Sequence, residues 1–465
     1  MQSQVGAATV GAHEHHSWGR TVGKEFAKEE QFVTRWHHRR PSYWFRKDRP
    51  RPDGHRRTPE VVRLEPEPGS KPSTNPPVRI FLGTEPAQAR AERVFIWSVK
   101  QARDPSRTYE IHLMKDLKGF DRRGWKTGFT NYRYAIPTLA GGTGRAIYND
   151  VDQIYLADPG ELFDMEMGGA GMLGITGRET SVMLMDCAKM IQHWKFEDAA
   201  GGKRHKLFRD IVHEQRLWGQ LPGVWNARDE EFRAGQSKCF HFTTLQTQPW
   251  QPFTDQLRYE PHPDGEVWFN LERGADAARF TPFTRSRPSA DYVARADRSR
   301  TAPATSLPSA MTAEIAALAA ATQAKSILVH GSPGKGVTGM PAISGVRIET
   351  GDLLAPPGSM KHDGVVVGGL LELFPEDDIA WILDEVFASA RSFVFAHVLC
   401  YDLADLGEGA TSQLTVQSPA WWRSQFELAS KRNPAVRWVL GTEEKSLFGR
   451  KRQIHNGQNA VVDAA

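Results

Sequence analysis

The sequence predicts an α/β protein built from two successive units, and three observations predict it. Short β-branched and aromatic runs alternate with helical patterns from Val78 to Phe283. A stretch dominated by Arg, Ser, Ala, Pro and Thr interrupts that alternation over 285–310. Strand and helix patterns then alternate again from Met311. A chain of 465 residues is also roughly three times the ~150-residue domain prior, so two or three separately cored units are expected.

The first segment, 1–77, is rich in His, Arg and Pro, and its aromatics Trp36, Tyr43, Trp44 and Phe45 follow no sustained period, so it is expected to be a largely irregular arm. Its basic residues, among them Arg35, Arg39, Arg40, Arg46, Lys47, Arg49, Arg51, Arg56 and Arg57, lie beside those aromatics. That mixture suits peripheral contact with anionic lipid headgroups, or a solvated arm packed on its own domain; no nucleic-acid module signature accompanies it. Order is expected to begin at Val78-Arg79-Ile80-Phe81-Leu82, a strand, followed from Pro86 by a helix carrying Ala91, Val94, Phe95 and Val99. A strand at Ile111–Met114, a helical stretch ending near Leu139 and a strand at Ala146–Tyr148 complete a first unit over 78–284. The segment 285–310 reads as a linker. The second unit, 311–465, opens with an Ala-rich helix at Thr312–Ala324 and continues with strands at Ser326–His330, Gly364–Val367 and Ser392–Val398.

Composition narrows the function classes. Hydrophobic residues make up 40% and charged residues 25%, and no uncharged apolar run approaches the ~18 residues needed to span a bilayer. Met1–His16 lacks the apolar core and basic leader of a secretory signal, and Cys187, Cys239 and Cys400 are too few and too scattered for a disulfide framework or a CxxC metal pair. A soluble or peripheral protein of the reducing cytoplasm, at most touching the inner membrane face, is expected.

Asp150-Val151-Asp152 directly follows the strand Ala146–Tyr148, which puts two carboxylates at the carboxyl end of a strand, where open α/β sheets bind ligands. Alternating carboxylates hold a hard divalent cation that also takes oxygens from a nucleotide diphosphate. Taken alone, such a triplet is more often a solvated turn. His241, among apolar neighbours in Cys239-Phe240-His241-Phe242-Thr243, is a candidate third ligand; taken alone, such a histidine is more often a satisfied core residue.

Several separated segments fall in an order that resembles family eight glycosyltransferases, the glycogenin-like retaining enzymes of GT-A fold. Arg79-Ile80-Phe81-Leu82-Gly83-Thr84-Glu85 resembles the opening strand and donor-base loop, and Asn131-Tyr132-Arg133-Tyr134-Ala135-Ile136-Pro137 the helix whose arginine faces the donor. Asp150-Val151-Asp152 with Asp158-Pro159-Gly160-Glu161-Leu162-Phe163 resembles the metal motif and its continuation; Leu221-Pro222 with Trp225-Asn226, and then His241 with Pro249-Trp250, resemble later hallmarks. The resemblance implies that Asp150, Asp152 and His241 hold manganese or magnesium, that Thr84 and Glu85 lie near the base of a nucleotide-sugar, expected to be a UDP-sugar, and that Arg133 faces its sugar or phosphates. Glu214-Gln215 resembles the family's Asp-Gln pair, which implies donor-hydroxyl contact by Glu214 and a place for Gln215 beneath the reacting anomeric carbon; both also fit solvent-facing helix positions. The chain departs from the pattern at Arg178-Glu179-Thr180-Ser181, in place of the usual Asn-Ser-Gly-Val, and at Gln248, in place of the lysine before Pro-Trp. A further departure is the polar residue Asn149 ahead of Asp150.

From Met311 to about Arg452 the chain resembles class I methyltransferases that use S-adenosylmethionine. Asp363-Gly364-Val365-Val366-Val367 with Leu370–Asp378 resembles the fourth strand and following helix, and Phe393-Val394-Phe395 and Pro419-Ala420-Trp421-Trp422 continue the likeness. Gly331-Ser332-Pro333-Gly334-Lys335-Gly336 follows a strand as a cofactor loop does, but Val329 and His330 stand where an acid is expected, and too few residues separate Gly336 from Val346 for a crossover helix. A shortened, Rossmann-like, noncatalytic domain is therefore expected, with S-adenosylmethionine not a cofactor. The function expected of the whole is transfer of a sugar from a nucleotide-sugar to a glycan or glycolipid acceptor. A bifunctional glycosyltransferase and methyltransferase of surface polysaccharide, and a noncatalytic carbohydrate-binding scaffold, are the alternatives.

Overall fold

The computed structural model describes residues 56–457 apart from 123–124, 126, 203–204, 255, 296–304, 332–336, 339, 341, 403–412 and 447–448. The leader region, the arm's aromatics, its basic residues up to Arg51 and most of the glycine loop lie outside the described residues.

The α/β expectation holds. The first sheet has seven strands in the order β1-β3-β2-β4-β7-β6-β8: β1 (Glu60–Leu64), β2 (Val78–Gly83), β3 (Tyr109–Met114), β4 (Arg145–Asp150), β6 (Met172–Gly174), β7 (Val182–Asp186) and β8 (Trp218–Gln220). The continuous apolar run of β2 is buried along nearly its whole length because it sits mid-sheet, parallel to β3 on one side and β4 on the other. β1 lies inside the arm expected to be irregular. Its alternation buries Glu60, Val62 and Leu64 and exposes Val61 and Arg63, which suits an edge strand running antiparallel to β3. A smaller sheet places β5 (Gln153–Tyr155) and β9 (Ala227–Arg228) on either side of β10 (Cys239–His241). Six helices of ten or more residues occur among the described residues: α1 (Ala89–Ala102), α2 (His205–Glu214), α3 (Gly265–Ala277), α4 (Ser309–Ala321), α5 (Ile379–Ser389) and α6 (Pro419–Arg432). None is long and apolar enough to cross a membrane.

A second, six-stranded sheet follows. Its strands are β12 (Ser326–His330), β14 (Arg347–Gly351), β15 (His362–Gly368), β16 (Ala390–Leu399), β17 (Arg437–Ser446) and β18 (Gly449–Asn456), in the order β14-β12-β15-β16-β17-β18, all parallel except the last. Two short strands, β11 (Thr305–Ser306) and β13 (Val337–Thr338), pair beside it. No helix joins β12 to β14 among the described residues. Period-two alternation gives the central strands β15 and β16 two buried faces: Val366 and Phe395 pack with Met311 and Ile315 of α4, while Val365, Val367 and Val394 join the larger core with Ile382 of α5 and Phe426 of α6.

That larger core is continuous with the core of the first sheet. The segment after Phe283 is tied to both sides of it. Arg285 pairs with Glu385 of α5 at 2.5 Å, Ser289 donates its backbone N–H to Asp378 at 3.1 Å, and the Ala290 N–H donates to Glu60 of β1 at 2.8 Å. Between the sheets lies a buried ion network: Lys115, just past β3, reaches Glu92 of α1 at 3.0 Å and Asp377 at 2.6 Å, and Asp377 also meets Arg56 at 2.6 Å. Burial alone would raise the Asp377 carboxyl, but Arg56 and Lys115 pull it well below the usual carboxylate range. Removing one member of such a group strands its partners' charges in a dry interior. Lys115→Ala should therefore lower stability by about 3–5 kcal/mol, read as a fall in the urea midpoint, whereas truncating the exposed Lys206, paired with Asp210, should cost less than about 1 kcal/mol.

Candidate metal and nucleotide site

The first sheet reverses its winding direction between β2 and β4, since the chain steps from β2 out to β3 and then back past it to β4. Ligands of open α/β sheets bind outside the strands' carboxyl ends at such a point. Gly83, the last residue of β2, pairs with Asp150, the last of β4, and its carbonyl accepts from Val151 N–H at 3.0 Å. A Cβ at position 83 would collide with the Tyr148 hydroxyl and the Phe129 ring, so only glycine permits this approach. Val151 turns inward, 2% exposed, which leaves Asp150 and Asp152 to flank it. The antiparallel pairing of β5 with β10 sets His241 opposite Gln153, and Phe242 N–H bonds the Asp152 carbonyl at 2.9 Å. One ligand atom from each of Asp150, Asp152 and His241 lies within 4.8 Å of the others.

Each member of this group is held by its own partners. Asp150 Oδ1 accepts from Arg133 Nη2 at 2.9 Å and from the Tyr148 hydroxyl; Arg133 stacks over the Tyr148 ring at 4.5 Å and donates to the Thr180 carbonyl at 2.7 Å. Burial lifts the Asp150 carboxyl to about 6, against the pull of Arg133 and with a further push from Asp152. Asp152 Oδ2 lies 3.4 Å from Gln248 Nε2, while its buried Oδ1 pairs with His241 Nε2 at 3.1 Å. His241 Nδ1 lies 2.8 Å from Asn226 Oδ1. The orientation of that amide follows from Glu179, whose carboxylate accepts only and takes Asn226 Nδ2 at 2.9 Å. Asn226 Oδ1 must then face His241, so Nδ1 carries a proton and Nε2 is the atom offered to the two aspartates. Burial alone would lower the His241 pKa, but Asp152, Asp150 and Glu179 raise it to about 9.

The residues present fit a divalent cation: two carboxylates and an imidazole converge, the buried Asp152 Oδ1 faces that imidazole, and the histidine's tautomer is fixed by its far side. Thr84 and Glu85 follow β2 directly beside this group. Thr84 is fully buried and donates to Glu92 at 3.0 Å, and Glu85 accepts from Gly128 N–H at 3.2 Å. Neither Glu214 nor Gln215 makes a contact with this group among the described residues. Glu214 ends α2 and Gln215 follows it, both exposed, and the chain turns through Arg216 at positive φ into β8. Trp218 of β8 is level with Met172 and, through Met185, with Ala146, four positions short of Asp150 and on the far side of β7 and β6. Sequence reasoning missed Glu179, which entered only as a departure from a family pattern, and the role of Asn226, which entered only as part of a hallmark. Their signal was a buried acid and a buried amide, legible only once the loop before β7 is placed against β10.

No family model and no curated protein matches the chain. Among solved structures it is similar to the apo form of the WbbM bifunctional glycosyltransferase, with a TM-score of 0.32 and 11% identity over 43% of this chain and 53% of that one, so the match spans about half of that protein. It is also similar to the galactosyltransferase LgtC in complex with donor and acceptor sugar analogues, at 0.29 and 11% over 42% and 95%. A third similar structure is the apo glycosyltransferase GlyE of Streptococcus pneumoniae TIGR4, at 0.31 and 12% over 78% and 80%. At these scores the likeness is loose, and the functional reading rests on the site itself.

A bound cation needs a neutral imidazole and two ionised carboxylates, so it must displace the proton that His241 keeps up to about pH 9. Manganese affinity should rise about tenfold per pH unit between pH 6 and 9, and more steeply below pH 6, where Asp150 also holds a proton. Titration calorimetry at pH 7 in two buffers of different ionisation enthalpy should show close to one proton released per ion; release of none would contradict His241 as a ligand.

Proposed function

We propose that this chain is a metal-dependent retaining glycosyltransferase of GT-A type, which moves a sugar from a nucleotide-sugar donor, a UDP-sugar, to a glycan or glycolipid acceptor. The observation that carries the proposal is the convergence of Asp150, Asp152 and His241 at the carboxyl end of β4, beside the loop that leaves β2. Manganese or magnesium bound there supplies positive charge to the departing diphosphate. Asp150, Asp152 and His241 are its ligands; Arg133 fixes Asp150, and Gln248 fixes the far oxygen of Asp152. Thr84 and Glu85, at the end of β2, are assigned to the side of the site that receives the base, and Gly83 gives the backbone room to approach. Gln248 is neutral, so it orients Asp152 without adding a cation for the diphosphate. The catalytic unit is assigned to 78–284. The unit at 311–465 is assigned a noncatalytic role without S-adenosylmethionine, and the arm a peripheral contact at the cytoplasmic membrane face.

Asp152→Asn should abolish manganese-dependent binding of uridine diphosphate while leaving the circular dichroism spectrum unchanged, because it removes one ligand charge and keeps the side chain's shape. Calorimetry on the two proteins decides the matter, and unchanged affinity in manganese would remove Asp152 from the site. With an active donor in hand, proton NMR of the first product formed should show the donor's anomeric configuration retained; an inverted product would defeat the retaining assignment while leaving the metal site untouched.

A further inference from the structure

The second unit reaches the nucleotide side of the proposed site by two independent routes. One is direct: Trp421, in the first turn of α6, donates its indole N–H to the Pro86 carbonyl at 3.0 Å. Pro86 opens the short turn, Pro86–Gln88, that carries the chain from β2 into α1. Trp421 is 7% exposed and stands edge-on to Trp422, so its ring has little freedom to swing away from that carbonyl. The other route is ionic and buried. Thr84 donates to Glu92 Oε2 at 3.0 Å, Glu92 is held by Lys115 at 3.0 Å, and Lys115 is held by Asp377 at 2.6 Å. Asp377 itself is anchored by Arg56 at 2.6 Å, so its carboxylate is fixed from both sides. The same turn is therefore held at its middle, through Pro86, directly by Trp421 of the second unit, and at its start, through Thr84, by Glu92 and Lys115 of the first unit, which Asp377 of the second backs.

A lone polar contact across an interface carries little information, but these two converge on five consecutive residues, 84–88, beside Asp150. Keeping these charges buried costs desolvation, and in some proteins a buried ionic group of this kind fixes one arrangement against others. We propose that the second unit is the structural clamp of the nucleotide-binding turn, with Trp421 and Asp377 as positioning residues that hold Thr84–Gln88 for the nucleotide base. The proposal rests on the donor-site reading above. It gives the second unit a role in donor affinity that needs no ligand of its own.

The metal ligands stand on β4, its following turn and β10, outside this clamp, so loosening the clamp separates nucleotide binding from metal binding. In the full chain, Trp421→Phe keeps an aromatic ring at this position, though a smaller one, and removes the donor. It should speed hydrogen exchange at the amides of Thr84, Glu85, Ala87 and Gln88 by about fivefold or more, the loss of roughly one hydrogen bond. It should weaken uridine diphosphate binding in manganese by a similar factor, while binding of manganese alone changes by less than about twofold. Asp377→Asn should do the same through Thr84, and Asp377→Glu should restore part of the affinity. Unchanged exchange at 84–88 in folded Trp421→Phe protein overturns the clamp, whatever happens to Asp377→Asn. Equal losses of manganese and nucleotide affinity also overturn it, because they mark a general loosening. If exchange rises but the unaltered protein binds no uridine diphosphate, the clamp stands and the donor-site reading falls.

Discussion

Two carboxylates held at one buried strand end repel each other, and most of what surrounds Asp150 and Asp152 answers that repulsion. At an effective dielectric constant near 20, two like charges ~4 Å apart cost about 4 kcal/mol, a large share of the stability of an ordinary domain. The cost is met from two sides. Arg133 takes Asp150, and His241 takes Asp152. Both counter-charges depend on one short stretch ahead of β7: the Thr180 carbonyl holds Arg133, while Glu179 and Ser181 bind the Asn226 amide that orients His241. The stretch that departs furthest from the resembled family pattern is thus the stretch that organises the aspartates' partners.

How much of this was legible in the sequence depended on how local the determining interactions are. β2 and β4 were readable because an apolar run buried on both faces needs no partner to identify it, and the aspartates stand at the end of β4 and two residues on. His241 was readable as a candidate only through its place in an ordered set of motifs. β1 was missed because its charged residues, Glu60 and Arg63, disguise an edge strand whose identity comes from pairing with β3 nearly fifty residues later. The placement of Gln215 was not legible for a related reason. The helical pattern of α2 is clear, but where the helix ends relative to the sheet is set by a left-handed turn at Arg216, a residue with no particular preference for it.

The segment from Arg285 reads as a linker because it lacks large aliphatics, and composition of that kind says only that a segment cannot build a core of its own. It does not prevent the segment from being held by a core already present. Arg285, Ser289 and Ala290 use one guanidinium, one hydroxyl and three backbone N–H groups, including that of Asp291, to join acids on both sides. Those acids, Glu60, Asp378 and Glu385, come from opposite ends of the chain. The hydrophobic core crosses the same boundary, with Val62 and Phe81 in one cluster with Phe387 and Trp422. The two sheets accordingly behave as one packed body at their junction, which is the condition under which a residue of α6 can influence the loop after β2.

The charge of the metal group itself favours a dication. Asp150, Asp152 and Glu179 contribute three carboxylates to one hydrogen-bonded network, Arg133 contributes one fixed positive charge, and His241 contributes a second only while protonated. With His241 neutral, the network carries a formal charge of two negative units, and a divalent ion brings it to zero. Without the ion, the same network lowers its charge by the means left to it: His241 keeps its proton up to about pH 9, and burial lifts Asp150 to about 6. The raised histidine answers that deficit directly, whereas the raised aspartate owes most to its burial and only in part to Asp152. A lysine at position 248 would have reduced that deficit from beside Asp152. The neutral Gln248 leaves it whole, so the group relies on a bound cation, or on protons, for the positive charge it lacks.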